Sequence, residues 1–120
     1  MDEMSKLYNL LEHTKGLVVP LVTWLDPAGN IDHDAMDQHI DYLMKTGCVN
    51  GGIFVLGSTG EGAYRTFDEK KAIMHHVVNH VKNKVPVLAG VAAHGVREAI
   101  LICRLRFPIY AAHQFRFQAV

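Results

Sequence analysis

The run Gly57-Ser58-Thr59-Gly60-Glu61-Gly62 sets two hydroxyl residues among glycines, directly after the apolar stretch Gly52-Ile53-Phe54-Val55-Leu56. A turn leaving the end of a strand can present backbone N–H groups and side-chain hydroxyls together to a small anion, such as a carboxylate. The run is not a phosphate loop of the G-x-x-x-x-G-K-[ST] type, because it has no lysine, and it is not a dinucleotide-binding G-x-G-x-x-G. A plainer reading stands beside this one. The glycines would then only supply the positive φ of a tight turn, with Ser58 and Thr59 as its incidental occupants.

Other groupings are weaker. His76 and His80 lie four apart, a spacing that can hold zinc on a helix. No glutamate follows His76 and no third ligand is evident, so a solvated helix face is expected and no metal site. Asp32, Asp34 and Asp37 crowd a helix start, where negative charge suits the helix dipole; they lack the glycine-containing spacing of a calcium loop. Arg104, Arg106 and Arg116 with Phe107, Phe115 and Phe117 could mimic a single-strand binding surface. An out-of-frame tail accounts for the same residues, and nucleic acid is not an expected partner.

The elements that would hold the glycine-rich run repeat three times. Leu17 to Thr23 reads as a strand buried on both faces, being continuously apolar. Asp26-Pro27-Ala28-Gly29-Asn30 is a turn by composition. Asp32 then caps a helix whose apolar positions Met36, Ile40, Leu43 and Met44 recur at helical spacing, and Thr46-Gly47 ends it. Val49 to Leu56 is a second strand, and Thr66 with Glu69 forms a T-x-x-E capping box at the next helix start. Met74, Val77, Val78 and Val81 line one face of that helix, which Asn83-Lys84 closes. Val85 to Val91 is a third strand and Arg97 onward a third helix. Repeated strand, loop and helix with apolar strands predict a parallel sheet in an α/β fold. Ser5 to His13 forms a short lead-in helix in this reading. The stretch Ile100 to Cys103 shows no helical amphipathicity, and Phe107-Pro108-Ile109 breaks any helix.

Composition narrows the function classes. With 120 residues, 49% of them hydrophobic and 20% charged, the chain has the makings of one globular domain. Its net charge of zero argues against nucleic acid as the main partner. That balance is uneven: all acidic residues lie at or before Glu98, whereas Arg104, Arg106 and Arg116 follow it. Two widely separated cysteines, Cys48 and Cys103, suit a reduced, cytoplasmic protein rather than a disulfide framework. The acidic N-terminus is no signal peptide, and the run Leu17 to Leu25 is too short to span a bilayer. No membrane role is expected.

From about Gly16 to about Ile100 the chain resembles the dihydrodipicolinate synthase and N-acetylneuraminate lyase family of pyruvate-dependent class I aldolases. The resemblance rests on "GLVVPLVTWLD", "GNID", "GGIFVLGSTGEG", the T-x-x-E helix start and "VPVLAGV". It implies a (β/α)8 barrel with its site at the C-terminal ends of the strands. The first three βα units would be present, over residues 17–104. Residues 1–16 would be a lead-in segment and 105–120 an irregular, frameshifted or truncated tail. The implied reaction is aldol condensation or cleavage between pyruvate and an aldehyde, through a Schiff base on lysine that needs no cofactor. By match to the motif, Thr59 would bind the pyruvate carboxylate, or that of another 2-oxo acid, and Ser58 would take the hydroxyl-relay position. Gly57, Gly60 and Glu61 would shape the turn, Glu61 as a buried, hydrogen-bonded carboxylate.

The resemblance also implies what is missing. The family's Schiff-base lysine lies on the sixth strand and its tyrosine on the fifth. Lys45, Lys70, Lys71, Lys82 and Lys84 read as helix surfaces or ends, Lys6 and Lys15 precede the first strand, and Tyr110 stands in a context that does not match. The chain alone is therefore expected to be inactive, and to self-associate through exposed sheet edges. A different class stays open beside it: a non-enzymatic α/β domain that binds a small anion or a protein partner.

Overall fold

Apolar β-branched runs that are adjacent in the sequence pair with one another in space. A computed structural model of the chain describes residues 5, 12, 16–82 and 84–105, and the backbone of 115–119. Strands β1 (Val18–Pro20), β2 (Gly52–Val55), β3 (Val87–Val91) and β4 (Phe115–Ala119) form one parallel sheet in the order β1-β2-β3-β4. Between them run α1 (His33–Lys45), α2 (Phe67–Val81) and α3 (Val96–Cys103). The register sets Val18 opposite Gly52, Ile53 opposite Val87 and Val87 opposite Phe115. This alternation is the α/β arrangement expected from the sequence.

The two central strands carry the core. Ile53, Val55, Val87 and Ala89 are almost fully buried, as befits strands covered on both faces. Strand β1 departs from expectation: Val18 and Val19 are half-buried and Pro20 is exposed. Among the described residues it lies at the edge of the sheet, a position where the missing N–H of Pro20 is tolerated. Only past the strand does the chain turn fully inward, at Leu21 and Thr23.

The helices begin where the sequence predicts. Asp32 caps α1 by accepting a hydrogen bond from the Ala35 amide at 2.9 Å. Met36 and Ile40 then point into the core, and Gly47 with φ of +73° takes the left-handed turn beyond Thr46. The Thr66–Glu69 capping box is formed in both directions. It aims Ile73, Met74, Val77, Val78 and Val81 at the sheet, all of them buried. Each such side chain contributes roughly 1.5–3 kcal/mol through burial.

Three differences from the sequence pattern stand out. Helix α3 runs on through Ile100–Cys103, with Ile102 buried although Leu101 is exposed; one inward residue per turn suffices to dock so short a helix. Strand β4 arises where no periodicity was read, pairing with β3 from Phe115 to Ala119. His76 and His80 are not a solvated face: they sit half-buried against α1, His76 Nε2 at 2.7 Å from Asp37 Oδ1 and His80 Nε2 at 2.7 Å from Asp41 Oδ1. The expected lead-in helix lies outside the described residues apart from Ser5 and Glu12, as do Arg106, Phe107 and Tyr110 of the tail.

This α1–α2 seam gives the fold a pH dependence. Burial holds the His33 imidazole below its ordinary value and the neighbouring His76 adds to the effect, while Asp37, Asp34 and Asp32 pull the other way without reversing it. The unfolded chain therefore takes up a proton near pH 6.5 that the folded seam resists, so acidification through that region favours unfolding. The Glu69 carboxyl is held low by its hydrogen bond from the Thr66 backbone, and that of Glu98 by its hydrogen bond from Lys70. Stability from these carboxylates is present above their unfolded values and lost as pH falls through the lowered folded ones. The melting temperature should fall once around pH 6 and again below about 4.5. A flat profile between pH 8 and 5.5 would exclude the histidine step.

Candidate functional site

Strand β2 delivers the glycine-rich turn to the C-terminal end of the sheet. The chain leaves Val55 through Leu56, which is buried yet holds a left-handed φ of +59°. A leucine there is strained by about 1 kcal/mol or more and persists only where its surroundings force it. Gly57, Gly60 and Gly62 are buried, while Ser58 and Thr59 between them are exposed. Backbone hydrogen bonds close the turn, from Glu61 N to Ser58 O and from Gly62 N to Gly57 O, both at 3.1 Å. The chain then passes through a single 3₁₀ turn, Gly62–Tyr64, into the capping box of α2.

The glycines do not serve positive φ here. The left-handed residues of this segment are Leu56 and Glu61, whereas the glycines serve close approach. A Cβ on Gly62, or on Gly90 of β3, would collide with the Leu56 carbonyl oxygen, and one on Gly60 would lie 2.9 Å from the Leu21 carbonyl oxygen. Two strands and the turn thus meet backbone to backbone around Leu56. Thr23, just beyond β1, donates its hydroxyl hydrogen to the Gly60 carbonyl at 2.6 Å.

The sequence-predicted residues divide accordingly. Ser58 and Thr59 stand together, exposed, on the turn at the C-terminal end of β2. Glu61 is a correction to the expected buried carboxylate: it is exposed with φ of +54° and makes no side-chain cap. Its part in the turn is played by its backbone, which accepts from the Tyr64 amide at 3.0 Å.

Lys70 is a second correction. Far from a helix surface, it is 1% exposed. Its Nζ donates to the Ala92 carbonyl at the end of β3 and pairs with Glu98 Oε1 at 3.0 Å. The signal lay in the helical period: Lys70 falls one turn before Ile73 and Met74, on the buried face of α2. Thr23 was missed for want of any signal beyond its place at the end of an apolar run.

Among the described residues no group of three or more metal-ligating side chains is placed to hold an ion, and no helix is long and apolar enough to cross a membrane. Cys48 and Cys103 are both free and exposed.

The chain matches the dihydrodipicolinate synthetase family over residues 13–107. It is 34% identical over 87 residues to the 4-hydroxy-tetrahydrodipicolinate synthase of Pseudomonas aeruginosa, an alignment covering 72% of this chain and 29% of that enzyme. It is similar to a solved prophage protein of the dihydrodipicolinic acid synthase family from E. coli K12 in complex with pyruvate. The TM-score is 0.68 with 36% identity, over 72% of this chain and 28% of that one. The Proteus mirabilis N-acetylneuraminate lyase shares the fold, with a TM-score of 0.70 over 87% of this chain and 32% of that one, at 22% identity. The chain therefore spans under a third of the length of the curated relatives it matches. Its sheet and helices correspond to the N-terminal part of their TIM-barrel fold. On this match the chain belongs to the dihydrodipicolinate synthetase family.

Proposed function

We propose that the chain supplies the first βα units of a pyruvate-dependent class I aldolase or lyase, whose Ser58–Thr59 turn receives the carboxylate of pyruvate or a related 2-oxo acid. The observation that carries this reading is the exposure of Ser58 and Thr59 on a turn held rigidly at the C-terminal end of β2, within a chain of this family. Pyruvate bound to the E. coli relative lends it chemical direction. In this reading Thr59 binds the carboxylate through its hydroxyl and backbone N–H. Ser58 relays protons to and from the reacting oxygen. Gly57 and Gly60 give the turn its close packing, and Glu61 shapes it through the backbone.

The carbon nucleophile in this chemistry is an enamine, formed when a lysine amine condenses with the pyruvate carbonyl and releases water. In this reading none of the lysines among the described residues is the one that takes that step. Lys70 has its amine near a strand end, but it is buried and engaged with Glu98 and Ala92. Incubating the chain with pyruvate and borohydride should leave its mass unchanged. A stoichiometric adduct of reduced pyruvate would overturn the assignment of the nucleophile to residues outside this chain.

The same reading places the protein in the cytoplasm, supported by two exposed free cysteines that suit a reducing compartment. It assigns the outer sides of β1 and β4, which pair with no strand among the described residues, to further pairing with like strands. Size exclusion checks this directly: self-association should appear as a species heavier than 13.4 kDa.

A further inference from the structure

The end of β1 grips the turn that β2 delivers. Thr23 is 8% exposed, and its hydroxyl donates to the Gly60 carbonyl oxygen at 2.6 Å, joining segments 37 positions apart in the chain. Two residues earlier the Leu21 carbonyl packs so closely on Gly60 that a Cβ there would lie 2.9 Å away. Leu21 is itself fixed to the central sheet, its amide donating to the Phe54 carbonyl at 2.8 Å. The segment just beyond β1 therefore holds Gly60 by one hydrogen bond and one close backbone contact. The Gly60 carbonyl belongs to the Gly60–Glu61 peptide, so the plane of the peptide one residue past Thr59 is set from the segment that follows β1, and with it the direction in which the chain leaves Thr59.

We propose that Thr23 is a positioning residue for the Ser58–Thr59 turn: its hydroxyl fixes the Gly60 carbonyl and so aims Thr59 at the carboxylate of an incoming 2-oxo acid. The inference rests on the function proposed above. The bland account of the same contact is a buried hydroxyl that found the nearest acceptor, as buried hydroxyls must. Loss of the donor alone separates the two accounts. Valine keeps the branched shape and removes the hydroxyl, leaving the Gly60 carbonyl without its partner. Serine keeps the hydroxyl and loses a methyl group.

The test uses the full chain, pyruvate itself as the probe, and amide resonances as the readout. Thr23→Val should weaken non-covalent pyruvate binding by about fivefold to tenfold, as the loss of one well-made hydrogen bond implies. It should also speed exchange of the Thr59 to Gly62 amides while those of α2 and β3 keep their rates. Thr23→Ser should restore both. Should the valine variant not fold, Thr23→Cys, which keeps the size and offers only a weak donor, stands in for it. Wild-type pyruvate affinity and unaltered turn exchange in Thr23→Val would overturn the inference, as would failure of serine to rescue. If the wild-type chain binds no pyruvate, the proposed function fails. Exchange at the turn then still decides whether Thr23 fixes it.

Discussion

Gly90→Ala should be among the most damaging single-methyl additions this chain can suffer. The new Cβ would collide with the carbonyl oxygen of Leu56 and would crowd the Gly57 amide nitrogen as well. Both are backbone atoms, so no side chain can swing aside to make room. Leu56 cannot retreat either, since its left-handed φ is already strained and its side chain is locked in the core. The loss should reach about 3 kcal/mol, the upper end for overpacking a well-filled interior. Because the contact links β3 to the exit of β2, the turn bearing Ser58 and Thr59 should shift as the fold weakens. Denaturant titration checks the first effect, and amide shifts of residues 57–62 check the second. Near-wild-type stability in Gly90→Ala would mean that the strands are not pressed together at Leu56.

Lys70→Ala should rank beside it, for a different reason. The Lys70 stem is packed in the core and its ammonium joins three elements: α2 by the chain, the end of β3 through Ala92, and α3 through Glu98. Alanine would leave a cavity along the stem, an unpartnered carbonyl at Ala92 and an unpaired carboxylate. Glu98 keeps partial contact with water, its side chain 27% exposed, so it can rehydrate. The destabilisation should be about 3 kcal/mol, most of it from lost packing and the orphaned carbonyl. Lys70→Met retains the stem and should cost about half as much. Equal losses in the two variants would show that the charge, rather than the packing, dominates.

How far the sequence could be read depends on what each residue answers to. Asp32, Thr66 and Glu69 could be placed because capping is a local matter between a side chain and amides three residues away. Met36, Ile40, Met74 and Val77 could be placed because a helical period needs only one buried side. The turn was legible as well, since Ser58 and Thr59 stand between glycines at a strand end. Lys70 was misplaced because residue type was weighed above period: a lysine on an apolar face reads as an exception until its partner, 28 positions away, is brought beside it. Thr23 and Leu56 were invisible for the same cause. One depends on a carbonyl in the next βα unit, the other on a backbone angle that no side-chain pattern encodes. The close approach that the glycines serve has no sequence signal, because the crowding of Gly90 on Leu56 exists only once β3 has docked.

The equality of strand order and chain order governs how such a molecule is built. The first two pairings share one offset, Val18 with Gly52 and Ile53 with Val87, and the third has a shorter one, Val87 with Phe115, so each strand finds its partner in the unit made just before it. No pairing of β1 to β3 waits on a distant segment. Each pairing closes a loop of similar modest length, and the entropy cost of closure grows only slowly with that length. Assembly can proceed vectorially as the chain leaves the ribosome, each βα unit condensing on its predecessor. The capped helix α2, in contact with α1, α3 and β3, ties the successive units together.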